Sequence, residues 1–227
     1  MSKLYYVFYQ CVNPDCGLRF PSRLGDLFPE TCPRCKGHVD RVADLDIFHE
    51  AREQAAFPRH PQIGGLLDNI RSAWNVGSIF RTADGMGVQK LYLCGITPTP
   101  ANPSVCKTAL GAEKVVAWDY YRNAIALASS LDTHEQRLWV LEDTKNAVCL
   151  YDLSVSDDNR PIILAVGNEI CGVDPGLVEL AERVVSIPMT GTKRSYNVAV
   201  AFGIAVSYLR YSHNFSHGSD RKFPNTS

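Results

Sequence analysis

"IPMTGTKRSYNVAVAFGIAV", residues 187–206, begins like the end of a buried strand and finishes like a buried helix. Between them residues 189–197 hold a glycine, two threonines, two cations, a serine and an asparagine. A strand handed to a helix through a polar loop is one unit of an α/β repeat, and the residues upstream continue it. Residues 184–187 read as the strand itself, and 175–182 as a helix with proline at its start. Further back, 162–166, 138–141, 115–118, 90–96 and 63–70 are apolar strand candidates. Residues 124–131 and 76–86 are helical, the latter with apolar side chains at 76, 79, 80 and 83. The last helix is expected over 198–209. Continuous apolar strands alternating with helices imply an α/β fold whose parallel sheet is covered on both faces.

Such sheets bind ligands at the carboxyl ends of their strands. Three loops there are rich in polar and small residues: 69–78 (NIRSAWNVGS), 167–174 (GNEICGVD) and the loop already quoted. Neither Gly-x-Gly-x-x-Gly nor a phosphate-cradling lysine loop is present, which argues against the dinucleotide-binding and P-loop classes.

The chain has 227 residues, 45% hydrophobic and 21% charged, an ordinary composition for a folded domain with a small accessory unit. No apolar run reaches the roughly 20 residues of a membrane span. MSKLYYVFYQC lacks the basic and apolar regions of a signal peptide, so a cytoplasmic protein with reduced thiols is expected. A net charge of −1 provides no global attraction for nucleic acid, so such a partner would rely on local patches.

Four of the eight cysteines fall early, as Cys11-x4-Cys16 and Cys32-x2-Cys35. These spacings suit a structural zinc site. Gly17 and Gly37 permit tight turns that aim N–H groups at thiolates, and Tyr5–Gln10 reads as the strand leading in. A thioredoxin-like pair would open a helix, and TCPRCKGHVD has no helical continuation. The expected organisation is a zinc ribbon over 1–43, a polar, helix-permissive connector over 44–60 closed by two prolines, an α/β domain over 61–213, and a disordered tail over 214–227. Cys94, Cys106, Cys149 and Cys171 show no ligand spacing and read as small buried hydrophobes.

Three stretches in order, DNIRSAWNVGSIFRTADGMG, ILAVGNEICGVDPGLVELAERVVSIPM and GTKRSYNVAVAFGIAVSYL, resemble the motifs of the SPOUT superfamily, SpoU/TrmH branch. The resemblance spans about residues 63–211. It implies a parallel sheet with a C-terminal trefoil knot, a homodimer, and transfer of a methyl group from S-adenosylmethionine to a ribose 2′-hydroxyl of tRNA or rRNA. By that resemblance Gly167, Ile187, Met189 and Tyr196 take cofactor-contact positions, and Arg81, Asn75, Glu169, Ser195 and Asn197 form the catalytic set.

Each residue also has a plain reading. Ile187 and Met189 fit core packing, Arg81 a surface or helix-cap cation, Asn75 a helix N-cap, and Glu169 a loop carboxylate. Glu169 could alternatively orient Arg81. Ser195 and Asn197 open the last helix, where capping and anion contact are compatible. Lys193 and Arg194 are solvated cations or phosphate contacts. Tyr196 stands where the family usually has leucine and Ala199 where serine is common, and both are expected in apolar surroundings. Two other readings are a catalytically silent RNA-binding protein that kept the fold, and a zinc-ribbon adaptor that binds protein.

Overall fold

Val7, Tyr9 and Cys11 alternate along the first strand and are all buried, which turns one side of a small antiparallel sheet inward. Strand β1 (Leu4–Cys11) lies between β2 (Arg19–Arg23) and β3 (Val39–Ile47). This is the computed structural model of the chain, described for residues 4–23, 31–47, 61–131, 134–153, 158 and 160–212. The chain divides into two units, Met1–Phe57 and Pro58–Ser227. Strand β3 runs four residues into the segment expected to be a helix-permissive connector, because residues 44–47 pair with β1 instead. Residues 48–60 of that connector and the expected tail at 214–227 lie outside the described residues.

The second unit is built on seven parallel strands. In chain order it runs β4 (Ile63–Asp68), α1 (Ala73–Gly85), β5 (Lys90–Cys94), α2 (Pro103–Ala109), β6 (Ala117–Tyr121), α3 (Ala124–Ser129) and β7 (Arg137–Leu141). It continues through β8 (Val148–Cys149), β9 (Ile162–Val166), α4 (Pro175–Leu180), β10 (Arg183–Ser186) and α5 (Val198–Tyr211). The strand order is β6-β5-β4-β9-β7-β10-β8. Strands β4 and β9 are adjacent and central, and every residue in both is buried. Along β9, Ile162, Leu164 and Val166 pack with α1, α2 and α5, while Ile163 and Ala165 pack with α3 and α4 on the opposite face. That alternation is the period of two of a strand buried on both sides.

Helix starts follow local chemistry. Ser72, Asn102, Asn123, Asp174 and Asn197 cap α1 to α5 in turn, each accepting a main-chain N–H with its side chain. Among the described residues, no helix is long and apolar enough to cross a membrane.

Candidate active site and metal centre

The carboxyl ends of β7, β9 and β10 open into a cleft of about 430 Å³, within the usual range for small-ligand sites. Its walls come from residues 166–170 and Gly172 after β9, Glu142 after β7, and Ser186, Ile187, Met189 and residues 194–198 from the chain between β10 and α5. The loop after β9 closes on itself: Asn168 N–H donates to the Gly172 carbonyl at 3.0 Å, and Gly172 N–H returns to Asn168 at 2.9 Å. Gly167 is required at the start of that closure, because a Cβ there would run into the backbone of Gly172 and Val173. The Glu142 carboxylate supports the loop from β7, accepting the N–H of Val173 at 2.9 Å and of Asp143 at 3.1 Å.

A second loop docks on the first. Asn168 Nδ2 donates to the Asn69 carbonyl at 2.7 Å. The Glu169 carboxylate accepts the main-chain N–H groups of Arg71 at 2.8 Å and Ser72 at 3.0 Å, and the Asn75 side-chain amide at 2.9 Å. Asn75 Oδ1 in turn accepts Asn197 Nδ2 at 3.0 Å, and Asn197 Oδ1 caps α5 through Ala199 N–H. Three segments far apart in sequence are thereby joined through side-chain amides. Desolvation works against the Glu169 charge, but these N–H donors outweigh it and hold its pKa below the ordinary carboxylate value.

The expected cofactor residues Gly167, Ile187, Met189 and Tyr196 all line the cleft, as do Glu169, Ser195, Asn197 and Arg194. Ser72 is the N-cap of α1, so Asn75 lies inside the helix and its amide is committed to Glu169 and Asn197. Glu169 holds Asn75 rather than Arg81. Arg81 is exposed on α1, is not among the residues that line the cleft, and forms no ion pair with a described residue. Tyr196 is 40% exposed at the cleft rather than packed in an apolar environment, because the chain before α5 runs along the surface. Of the four later cysteines only Cys94 is buried; Cys106 and Cys149 are half-buried on short surface elements, and Cys171 is exposed at the loop tip. Sequence reading passed over Glu142 and Asn168. The signal for Glu142 was its place directly after a strand's carboxyl end, where ligand sites form.

A model of the SpoU rRNA Methylase family matches residues 65–207, the span from β4 to α5 that builds this cleft. The chain belongs to this family. The SpoU-family chain is 31% identical over 139 residues to the tRNA (guanosine(18)-2′-O)-methyltransferase of Aquifex aeolicus, covering 61% of this chain and 64% of that one. It is 32% identical over 174 residues to a 23S rRNA (guanosine-2′-O-)-methyltransferase of Ralstonia nicotianae, covering 76% and 68%. Its fold matches that of the SpoU methyltransferase AviRb of Streptomyces viridochromogenes, solved in complex with AdoMet, at TM-score 0.61 and 23% identity, covering 81% and 71%. The chain spans about half to three quarters of the length of such curated relatives, 54% of one and 76% of another.

The first unit lies outside the family match. There the Sγ atoms of Cys11, Cys16, Cys32 and Cys35 all fall within 4.8 Å of one another. Cys11 and Cys35 are 3.4 Å apart and Cys16 and Cys32 3.8 Å, close to the ~3.8 Å that ~2.3 Å zinc–thiolate bonds in a tetrahedron impose. Gly37 N–H donates to the Cys35 sulfur at 3.4 Å. Desolvation opposes ionisation of Cys32, but N–H groups of Cys35 and Arg34 and the thiols of Cys16 and Cys35 bring it to about 7. Burial pushes Cys11 up to about 12. The donor set and spacing fit one tetrahedral soft metal ion.

Proposed function

We propose that the chain is an S-adenosylmethionine-dependent RNA methyltransferase acting on a ribose 2′-hydroxyl of tRNA or rRNA. The observation that carries this reading is the Glu169–Asn75–Asn197 network, set in the span matched by the family and bordering a cleft at the strands' carboxyl ends. The cleft residues Gly167, Ile187, Met189 and Tyr196 would hold the cofactor, which supplies a methyl group already activated on a sulfonium. What remains for the protein is positioning. The amide network keeps the two loops and α5 in register. Arg81 holds a substrate phosphate and stabilises negative charge developing on the ribose oxygen. Ser195 and Arg194, which line the same cleft, would contact the RNA. The C-terminal trefoil knot, a homodimer and a cytoplasmic location belong to the same reading, and the four cysteines hold a structural zinc ion.

The deciding experiment is Arg81→Ala. Methyl transfer to RNA should fall by roughly 100-fold or more, as for loss of one charge-stabilising donor, while calorimetric binding of S-adenosylmethionine stays within twofold. Loss of cofactor binding would reject the role assigned to Arg81. No cofactor binding by the unsubstituted protein would favour the silent RNA-binding alternative.

A further inference from the structure

Trp74 is 58% exposed, unusual for the largest apolar side chain in a folded domain. It sits one residue before Asn75, at the start of α1. Lys107 of α2 places its ammonium 5.8 Å from the indole centroid. That approach depends on Gly77, one turn after Trp74, where a Cβ would collide with Thr108 and with the Val105 carbonyl of α2. Arg81 follows Trp74 by seven residues, so the two share a helix face about 10 Å apart. Arg71, also exposed, lies just before the helix. The helix face at the start of α1 therefore carries an open aromatic ring with Lys107 beside it and Arg81 two turns on, and exposed Arg71 lies three residues before the ring.

We infer that Trp74 is a stacking platform for an unpaired base of the RNA substrate, with Lys107 and Arg81 carrying the flanking phosphates. The inference rests on the methyltransferase reading and adds to it how the target strand is held. Stacking on an aromatic ring between cations is how single strands are gripped without base-specific hydrogen bonds. It suits a chain of net charge −1, in which attraction for RNA must be local. A second copy of the chain is the competing occupant of an exposed tryptophan. Three exposed cations near the ring, none in an ion pair with a described carboxylate, favour a polyanion, since a second copy would set like charges against one another.

The test titrates full-length protein with a single-stranded RNA oligonucleotide of mixed sequence, following indole emission and affinity, with sedimentation and a parallel S-adenosylmethionine titration. Trp74→Ala should weaken RNA binding about tenfold or more. Trp74→Phe should keep most of the affinity but lose the RNA-dependent quenching, and neither variant should alter cofactor binding or oligomeric state. RNA affinity and quenching unchanged in both variants would overturn the platform alone. Dissociation of an oligomer by Trp74→Ala would overturn it in favour of a subunit contact. Failure of the unsubstituted protein to bind RNA would overturn both the platform and the methyltransferase reading.

Discussion

Ser72 accepts the Asn75 N–H at 3.3 Å and so performs the capping that sequence alone could equally assign to Asn75. The Asn75 amide is then free to bridge Glu169 and Asn197, an assignment no local pattern announces. Glu169 carries a matching expectation. Glu169→Gln places an amide donor against N–H groups the carboxylate now accepts. Because Glu169 is exposed, the loss of stability is about 1 kcal/mol, or roughly 2–4 °C in Tm for a domain this size. The folded pKa is lowered, so the carboxylate's contribution is present above its unfolded value and lost as pH falls through the folded one. The gap between wild type and Glu169→Gln should therefore be full at neutral pH and close in acid. Thermal melts across pH check this, and a gap that persisted in acid would refute the charge argument.

At the scale of elements, the loop from Gly167 to Val173 shapes the cleft by packing backbone against backbone. Gly167→Ala should abolish detectable S-adenosylmethionine binding while β9, buried on both faces, stays folded. Titration calorimetry together with far-UV circular dichroism tests both halves. Most strands and helices were legible because their periods are long enough to read. Helix α2 was not: seven residues barely complete two turns, although Asn102 followed by Pro103 was a usable start signal. Strand β8 has two residues and exists only through its pairing with β10. Strand β3 was not legible at all, and its residues 44–47 read as connector because acidic residues there resemble a solvated linker; pairing with β1 overrides that tendency.

For the whole molecule, the family match begins at residue 65 and the cysteine cluster ends at residue 35, so the candidate metal and cofactor sites fall in different units. Chelation, or Cys32→Ser with Cys35→Ser, should remove one zinc per chain and unfold the first unit, since structural zinc binding supplies folding free energy. Cofactor affinity should be unchanged and RNA affinity reduced, by metal analysis and parallel titrations. Unchanged RNA affinity in zinc-free protein would confine the first unit to a structural role.

The sequence by itself determined the α/β class, the four-cysteine cluster and the loops that build the cleft, because each is written in short-range spacing: strand runs, helical periods, Cys-x4-Cys and Cys-x2-Cys. Only the tertiary structure decided that β9 inserts between β4 and β7, which lays Glu169 against Arg71, Ser72 and Asn75, and that α2 closes over Gly77 to set Lys107 against Trp74. Strand order and helix approach are set by burial of two sheet faces among residues about a hundred positions apart, and no local period encodes which distant partner wins.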